Sequence, residues 1–598
     1  MRGLLRDVTL PIAFVIEEGE EFGEQTVKHD LRRVCTLLWM IILLQALSVP
    51  GEAEEASHRK KLIATGLDHA DSGRLLQNLG LMEKRPFDGV AIEIEGRIDE
   101  AKRCPLRLAF TDEAWKTEWF QPSIEELKAC RFKGFTDNFV TVNANPGDVD
   151  WFDDSGWDAI VHHWRIAAWI AKESGFKGIL FDPEPYTKPY AQFNYAAQPN
   201  CNRYTFEEYY AKARQRGREV MREVVGVYPE ITLLSYFMNS VNAAGASSPD
   251  PRRTLPLLRY NLYPAFIDGW LDAVPPSVTL VDGCETAYLY NSPREFLQSA
   301  VLIKGACQGL VSPENRATYR AQVQAGFGVY LDAYWNPKEP QWMPWHIDGR
   351  GGPRVDRLRA NVSAALQAAD EYVWIYGEKF RWWPTPNENV RDQTWPEALP
   401  GCDRALFFAR DPLQFARWQL SDPQRDPPVN LAQNGDFGSA MAPGSGDSAD
   451  VWKEGSPPAG WRIRQKNPPA GTFMWDRRAG ARDKGSALIG NVDNGCLAQG
   501  VLVRPGDFYA IRAARKLQGS GEAWLRIRWK TDDGTWFADD KDTLILCQGP
   551  KDEWAEMFGV IEVPESAGKL MVLLCVHDQP SLADIAWFDD VELYRLEP

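Results

Sequence analysis

The chain has 598 residues, of which 44% are hydrophobic and 25% charged, so it can form more than one packed core. Its formal net charge is -16, and an acidic chain of this kind lacks the cationic excess that nucleic-acid binding requires. We therefore expect no nucleic-acid partner, and a neutral polymer is the easier ligand.

The N-terminal segment 1–53 has the features of an export signal. An apolar run at 34–49 follows two arginines and precedes small residues at Gly51 and Ala53. The run is shorter than the roughly 18–20 residues that span a bilayer. We therefore predict a signal peptide at about 31–53, a secreted or periplasmic protein, and no stable membrane span after cleavage.

An acidic stretch at 1–30 precedes this signal, which is unusual for an exported protein. We interpret it as the product of a start assigned too early, with Val27 a candidate for the true start. The alternative is an uncleaved anchor with a cytoplasmic tail.

The segment 58–400 alternates short apolar runs with longer amphipathic ones, which is the βαβα pattern of a parallel sheet. Eight strands are predicted, at Lys61–Leu67, Asp88–Glu95, Asn138–Asn143, Lys177–Phe181, Ile231–Phe237, Val278–Val281, Gly326–Leu331 and Tyr372–Tyr376. Helices are predicted between them, with clear examples at Ser123–Phe132, Trp157–Ser174, Thr205–Val225, Pro293–Leu310 and Asp356–Ala369.

Eight strand–helix units predict a closed (β/α)₈ barrel of the α/β class. A doubly wound sheet would carry a glycine-rich phosphate loop after an early strand, and none occurs, so no nucleotide is expected. The proline-rich stretch 401–429 predicts a linker or extension. The remainder, 430–598, has short β-type runs and turns that predict an all-β sandwich.

Active sites of such barrels lie at the carboxyl ends of the strands, and this chain places acids there. Glycoside hydrolysis needs one carboxylic acid to protonate the leaving oxygen and a second group as nucleophile or base. The strand-end acids are Asp68, Glu93, Glu95, Asp182, Glu184, Glu285, Asp332 and Glu378.

The sharpest element is Asp182-Pro183-Glu184 after the fourth strand. Two carboxylates at i and i+2 of an extended segment point to the same side, and the prolines stiffen the loop. The plainer interpretation is a salt bridge or a helix cap. Glu285 and Asp332 are interpreted equally as catalytic groups or as hydrogen-bond partners of a substrate.

The other candidate residues are predicted to bind substrate, because they are polar or aromatic and stand beside the acids. They are Asp68, His69, Tyr186, Tyr288, Trp335, Glu378 and Trp382. No catalytic cofactor and no barrel metal are expected, because the chain has 7 His without ligand spacing and its 10 Cys form no CxxC pair.

This pattern resembles the large superfamily of barrel glycosidases, although no single family is identified. The resemblance implies an acid/base residue at the end of strand four, which is Glu184 here. Many members carry a Glu at the end of strand seven. This chain has Asp332 there, so Glu285 is the alternative partner.

Asp182-Pro183-Glu184 also looks like the end of the Asp-x-Glu motif of chitinase-like enzymes. That resemblance implies a substrate-assisted reaction on N-acetylhexosamine glycans. The longer chitinase pattern is missing, because Lys177-Gly178-Ile179-Leu180-Phe181 precedes Asp182.

The segment from Asn430 to Phe437, NLAQNGDF, and the final FDDVEL from Phe588 are similar to jelly-roll carbohydrate-binding modules found beside xylanases and glucanases. The resemblance implies a galactose-binding-like sandwich, with a structural calcium near Asp436 and Asp590. Candidate sugar platforms in this part are Trp475, Trp524, Trp529, Trp536 and Trp554.

The leading hypothesis is a secreted glycoside hydrolase that cleaves polysaccharide, with Glu184 as acid/base, Glu285 or Asp332 as partner, and Asp182 tuning the site. A carboxyl separation of roughly 5–5.5 Å would indicate retention and roughly 6.5–9.5 Å inversion. The rival hypotheses are the chitinase-like hydrolase and a non-catalytic glycan-binding or cell-surface structural protein on a barrel scaffold.

Overall fold

A computed structural model describes residues 59–188, 192–350, 352–422, 428–438, 451–452, 457–466 and 471–598. The predicted signal segment and the acidic stretch before it lie outside these residues. No helix of the described residues is long and apolar enough to cross a membrane.

The first part of the chain forms a nearly closed, nine-stranded parallel barrel. The order around it is β10–β11–β1–β2–β5–β6–β7–β8–β9. Its strands are β1 (Lys61–Gly66), β2 (Gly89–Ile92), β5 (Phe139–Asn143), β6 (Gly178–Asp182), β7 (Thr232–Ser235), β8 (Thr279–Asp282), β9 (Val323–Ala325), β10 (Phe327–Tyr330) and β11 (Tyr372–Gly377). Two short pairs accompany them, namely β3 (Glu95–Arg97) with β4 (Arg103–Pro105) and β12 (Phe380–Arg381) with β13 (Arg391–Thr394).

The barrel has its irregular point at Gly326, which separates β9 from β10. Strand β9 pairs with β8, whereas β10 pairs with β11. The Gly326 amide still donates to the Asp282 carbonyl at 2.8 Å. A side chain at 326 would lie 2.8 Å from Cγ1 of Val281 and 3.0 Å from the Tyr372 carbonyl, so the close approach requires glycine. The sequence predicted one strand, Gly326–Leu331, where the structure has the two strands β9 and β10.

Helices surround the barrel and begin where capping residues place them. Asp153 caps the helix over 154–173, and Thr205 forms a capping box with Glu208. The helices are α1 (Ser72–Met82), α2 (Gln121–Ala129), α3 (Asp154–Glu173), α4 (Phe206–Val227), α5 (Ala243–Ala246), α6 (Pro251–Thr254), α7 (Tyr263–Leu271), α8 (Pro293–Lys304), α9 (Arg316–Gln322), α10 (Arg354–Ala368), α11 (Trp395–Ala398), α12 (Cys402–Arg410) and α13 (Pro412–Ser421).

Many of the aromatic residues form the core between barrel and helices. Trp151 stacks on Trp157 with ring centroids 4.6 Å apart, and Trp164 packs edge-on against Phe181 of β6 at 5.0 Å. All four of these side chains are fully buried. Aromatic packing therefore fixes the position of β6, whose carboxyl end carries the Asp182 side chain.

The C-terminal part contains two antiparallel sheets around a second apolar core. One sheet has the order β14–β16–β17–β24–β19–β22 and the other β15–β18–β23–β20–β21. Their strands are β14 (Val451–Trp452), β15 (Arg462–Gln465), β16 (Thr472–Asp476), β17 (Ser486–Gly490), β18 (Asn494–Leu502), β19 (Phe508–Gln518), β20 (Glu522–Lys530), β21 (Thr543–Ile545), β22 (Ala555–Glu562), β23 (Lys569–His577) and β24 (Ile585–Leu596).

Helices α12 and α13 occupy the stretch that the sequence predicted as a linker or extension. Phe408 of α12 packs on Phe508 of β19 at 4.8 Å. The guanidinium of Arg359, on barrel helix α10, lies 4.2 Å from the centroid of the same Phe508 ring. The two helices therefore form a packed connection from the barrel helices to the six-stranded sheet.

Candidate active site

Asp182 and Glu184 lie together where β6 ends. Asn143 pairs in register with Asp182, and its amide donates to Oδ2 of Asp182 at 2.6 Å. The Glu184 backbone amide donates to Oδ1 of Asp182 at 2.9 Å. Burial, together with the nearby negative charge of Glu184, raises the pKa of Asp182 to about 7. Asp182 therefore orients the loop that carries Glu184.

Two tyrosine hydroxyls donate hydrogen bonds to the carboxylate of Glu184. The Tyr260 hydroxyl lies 2.7 Å from Oε1 of Glu184, and the Tyr186 hydroxyl lies 3.1 Å from Oε2. The Tyr186 hydroxyl is also 3.1 Å from Oδ2 of Asp182. The one proton of the Tyr186 hydroxyl is therefore shared between the two carboxyl groups, whereas Tyr260 donates to Glu184 alone.

Glu285 lies in the same acid cluster, and it follows a strained turn after β8. Cys284 has a φ of 42°, which is rare for a residue with a side chain, and the Glu285 amide donates to the Tyr236 carbonyl at 3.0 Å. Burial and the negative charges of Glu184, Asp182 and Glu378 raise the pKa of Glu285 to about 8. Within the described parts of the chain, no side chain donates a hydrogen bond to its carboxyl group.

Glu184 and Glu285 therefore lie in one cluster but differ in their hydrogen-bond partners. Both side chains are partly exposed, whereas Asp182 is 6% exposed. At neutral pH, Glu285 is mostly protonated and Glu184 is held by hydroxyl donors. Neighbouring carboxyl groups whose environments separate their protonation states can act as an acid and a base.

Aromatic rings border this cluster on the side of β11. Tyr236 stacks on Trp374 with centroids 4.2 Å apart, and Tyr288 stacks on Tyr330 at 5.1 Å. Tyr376, at the end of β11, lies 6.1 Å from Tyr288. The sequence predicted Tyr288 at the site, and these contacts place it beside the acids.

Asp332 and Glu378, two of the predicted site acids, differ in exposure and in their partners. Asp332 is fully buried, and it accepts a hydrogen bond from the Glu378 amide at 2.8 Å and an ion pair from Lys379 at 3.2 Å. Burial raises the pKa of Asp332, which Lys379 opposes. The Glu378 carboxylate is partly exposed and accepts the Tyr330 hydroxyl at 2.8 Å. Of the two, Glu378 is the one that reaches the acid cluster.

Three predicted substrate-binding residues are engaged away from the acid cluster: Asp68 and His69 follow β1, and Trp382 follows β12. Asp68 forms an ion pair with Arg74 at 2.8 Å and accepts a hydrogen bond from the Trp382 backbone amide at 2.6 Å. The Trp382 side chain is buried and packs on Phe87. Burial lowers the pKa of His69, whose Nε2 lies 3.6 Å from Glu93. These residues brace the junction of β1 and β11, and none of their described contacts reaches Glu184 or Glu285.

Of the two further predicted substrate-binding residues, Tyr186 lies at the acid cluster, and none of the described contacts of Trp335 reaches it. Tyr186 is 58% exposed, and its hydroxyl lies between the carboxyl groups of Asp182 and Glu184, within hydrogen-bond distance of both. Trp335 is half-buried and packs on Phe380 at 5.0 Å, with Arg391 over its ring. Trp335 is therefore part of the barrel rim.

Sequence reasoning missed Tyr260, Tyr236, Tyr330 and Trp345, all of which border the acids or their tyrosines. No sequence pattern marked Tyr260 as a site residue, because it lies 25 residues after the end of β7 rather than at a strand end. Tyr330 is the last residue of β10, so its strand-end position was the signal that could have found it.

His, Cys, Asp and Glu side chains are the usual protein ligands of metal ions. The described residues contain no group of three such side chains that could hold an ion. Asp590 pairs with Arg482 at 3.2 Å, and Asp436 accepts the Gly438 amide. The calcium implied near these two aspartates stays a prediction.

The tryptophans predicted as sugar platforms of the sandwich differ in their exposure to solvent. Trp529 is buried in the core, whereas Trp536 is 44% exposed with Arg528 and Lys530 over its ring. Trp524 packs on His577 at 4.6 Å. Trp475 and Trp554 are partly buried.

Comparisons with known proteins found likeness only at the level of structure. No family model matches the chain, and no curated protein matches it. An enzymatically active tailspike domain of bacteriophage CBA120 is similar over 28% of this chain and 22% of its own length, with 15% identity and a TM-score of 0.21. The matched part thus spans less than a quarter of that tailspike protein.

Carbohydrate-binding modules are also similar to part of the chain. A module called TmCBM61, solved with β-1,4-galactotriose, matches 28% of this chain and 99% of its own, with 13% identity and a TM-score of 0.20. The family 22 module of Clostridium thermocellum Xyn10B matches 23% of this chain and 87% of its own, with 14% identity and a TM-score of 0.19. At these TM-scores the likenesses assign no function.

Proposed function

We propose that the protein is a secreted glycoside hydrolase whose paired acids are Glu285 and Glu184. The observation that carries the proposal is that the two side chains have different surroundings within one cluster. Burial and three negative neighbours raise the pKa of Glu285 to about 8, whereas two tyrosine hydroxyls hold the carboxylate of Glu184. Glycosidic hydrolysis requires one protonated and one ionised carboxyl group flanking the scissile bond.

In this proposal Glu285 is the general acid. Its proton passes to the leaving glycosidic oxygen as the bond from that oxygen to the anomeric carbon breaks. The carboxylate of Glu184 acts on the opposite face. It either takes a proton from the attacking water, or bonds to the anomeric carbon in a glycosyl-enzyme that a second water, deprotonated by Glu285, then cleaves to free Glu184. The proposal reverses the role that the strand-four position predicted for Glu184.

Asp182 and Asp332 are positioning residues in the proposal. Both oxygens of Asp182 are occupied, by Asn143, Tyr186 and the Glu184 amide. Asp332 is occupied by Lys379 and the Glu378 amide. The occupied carboxyl group of Asp182 disfavours a chitinase-like role, in which it would have to steady the substrate's acetamido group.

The remaining assignments complete the proposal. Residues 58–400 form the catalytic domain, with 323–330 counted as one strand interrupted at Gly326 in a (β/α)₈ barrel. Residues 401–429 are the connection, and 430–598 form a jelly-roll carbohydrate-binding module. The polymer enters the site from outside the cell, which requires the predicted export signal.

The proposal is tested by incubating purified protein with a panel of neutral and acidic polysaccharides and measuring released reducing ends. We expect activity on at least one polymer. Glu184→Gln and Glu285→Gln should each lose at least about 10²-fold in turnover while the circular dichroism spectrum stays unchanged. Asp348→Asn, a partly exposed acid paired with the exposed Arg350, is the matched control and should keep full activity.

Two outcomes would contradict the proposal. Wild-type turnover that survives in both glutamine variants would remove the acids from catalysis. Saturable binding of a polysaccharide without any release of reducing ends would instead support the rival hypothesis of a glycan-binding protein on a barrel scaffold.

A further inference from the structure

Trp345 is an exposed indole beside the acid cluster. It is 39% exposed, and its ring lies 5.6 Å from the Tyr330 ring and 6.0 Å from the Tyr288 ring, at interplanar angles of 79° and 74°. Two tyrosine rings therefore support it edge-on. Tyr330 donates to Glu378, so the indole is one side chain away from a cluster acid.

The segment that carries Trp345 is held firmly to the barrel. The Asn336 side chain donates to the Trp345 carbonyl at 2.9 Å, and Asn336 is fully buried. Nδ1 of His346 lies 2.8 Å from the Asn336 carbonyl, and the Ile347 amide donates to Ala333 at 2.8 Å. An indole fixed in this way loses little conformational entropy when a ligand stacks on it.

The cluster beside Trp345 is acidic and has little compensating charge. Four carboxyl groups meet there, from Asp182, Glu184, Glu285 and Glu378, of which Glu285 is mostly protonated at neutral pH and adds little charge. Lys379, which follows Glu378 in the chain, is paired with Asp332. Arg259 lies over the ring of Tyr260, 5.2 Å from its centroid, and is exposed. A carboxylated or sulfated sugar would therefore face like charges in a partly buried site.

We propose that Trp345 is a sugar-stacking platform at a subsite next to the acid pair, and that this site takes uncharged glycan chains and rejects anionic ones. The indole offers an apolar face to the C–H face of a neutral sugar ring. The inference rests on the proposed function for the place of the subsite, and it names the substrate class.

The test uses the full chain with Glu285→Gln. This variant is expected to bind the polymer without cleaving it, and it replaces a protonated, uncharged carboxyl group by an uncharged amide. Its mobility is measured in native gels that contain galactomannan, mixed-linkage glucan or pullulan. Each polymer is then oxidised at its C6 hydroxyls to carboxylates, so that the paired probes differ only in charge. Trp345→Ala and Trp345→Phe are made in this background, with Trp418→Ala as the control, because Trp418 is 37% exposed on α13.

We expect at least one neutral polymer to retard the parent. Trp345→Ala should weaken that binding about tenfold, whereas Trp345→Phe and Trp418→Ala should keep most of it. Oxidation of the polymer should weaken binding, and added salt should restore part of it. The inference is overturned if no neutral polymer binds, if Trp345→Ala binds like the parent, or if the oxidised polymer binds as well as the neutral one.

Failure of this inference is distinguishable from failure of the proposed function. Trp345-dependent binding of a neutral chain that the wild type never cleaves would refute hydrolysis and leave the subsite standing. Hydrolysis that Trp345→Ala leaves unchanged in KM and in kcat would refute the subsite alone.

Discussion

The Tyr260 hydroxyl lies 2.7 Å from Oε1 of Glu184, although 76 residues separate the two along the chain. Tyr260 is 7% exposed, so its hydroxyl has few competing water partners. Hydrogen bonds to charged groups contribute about 1.5–3 kcal/mol. This contact therefore makes a large contribution to holding the Glu184 carboxyl group in place.

Tyr260→Phe removes that donor without changing the shape of the ring. We expect kcat to fall about tenfold or more, because Glu184 loses a donor that positions its carboxyl group. Steady-state kinetics on an active polysaccharide measures the fall. Tyr210→Phe is the matched control, because its hydroxyl bonds the Leu310 carbonyl outside the barrel. An unchanged kcat in Tyr260→Phe would show that the bond does not position Glu184.

Glu285 predicts a pH dependence of stability. Its pKa is raised to about 8 in the folded protein, against about 4.3 for an unperturbed Glu. Its contribution is thus fully present below about pH 4 and is lost as the pH rises through about 8. Glu285→Gln removes the dependence, so the variant should unfold at a higher Tm than wild type at pH 8.5. The two should differ little at pH 4, and equal values at both pH values would count against the raised pKa.

Lys379→Met tests the buried pair with Asp332. Asp332 is fully buried, so removing its cation leaves an uncompensated charge, and such losses cost about 3–5 kcal/mol. Urea unfolding measures the free energy. Arg350→Ala breaks an exposed pair with Asp348 and should cost at most about 1 kcal/mol. Similar small losses in both variants would show that Asp332 does not depend on Lys379.

Gly326→Ala tests the closure of the barrel. The added Cβ would lie 2.8 Å from Cγ1 of Val281 and 3.0 Å from the Tyr372 carbonyl, so one strand must shift. We expect a loss of about 1–3 kcal/mol in the free energy of unfolding. Gly309→Ala is the control, because a Cβ there meets nothing within 4 Å. Equal stability of the two variants would contradict the tight approach of β8 and β11 at Gly326.

Much of the barrel was predictable, because each strand is an apolar run bounded by turn residues. The strand predicted at Lys177–Phe181 lies at Gly178–Asp182, and the helix predicted at Trp157–Ser174 lies at Asp154–Glu173. The break at Gly326 was not predictable, since it depends on how closely β8 and β11 approach. In the C-terminal part, the turn-rich pattern correctly predicted antiparallel strands.

The candidate site was predictable only where its residues stand at strand ends. Asp182, Glu184 and Glu285 do so and meet in one cluster. Asp332 also stands at a strand end, but the sequence carries no signal that Lys379 would occupy it. Tyr260 reaches Glu184 from the segment before α7, and such a long-range contact has no local pattern.

The division of roles between Glu285 and Glu184 is tested most directly by carbon-13 NMR of protein labelled at the glutamate carboxyl carbons. The Glu285 and Glu184 resonances are assigned by their loss in the two glutamine variants. The account predicts that Glu285 titrates with a midpoint near 8, as burial and its negative neighbours require. A Glu285 midpoint near the ordinary value of about 4.3 would contradict it.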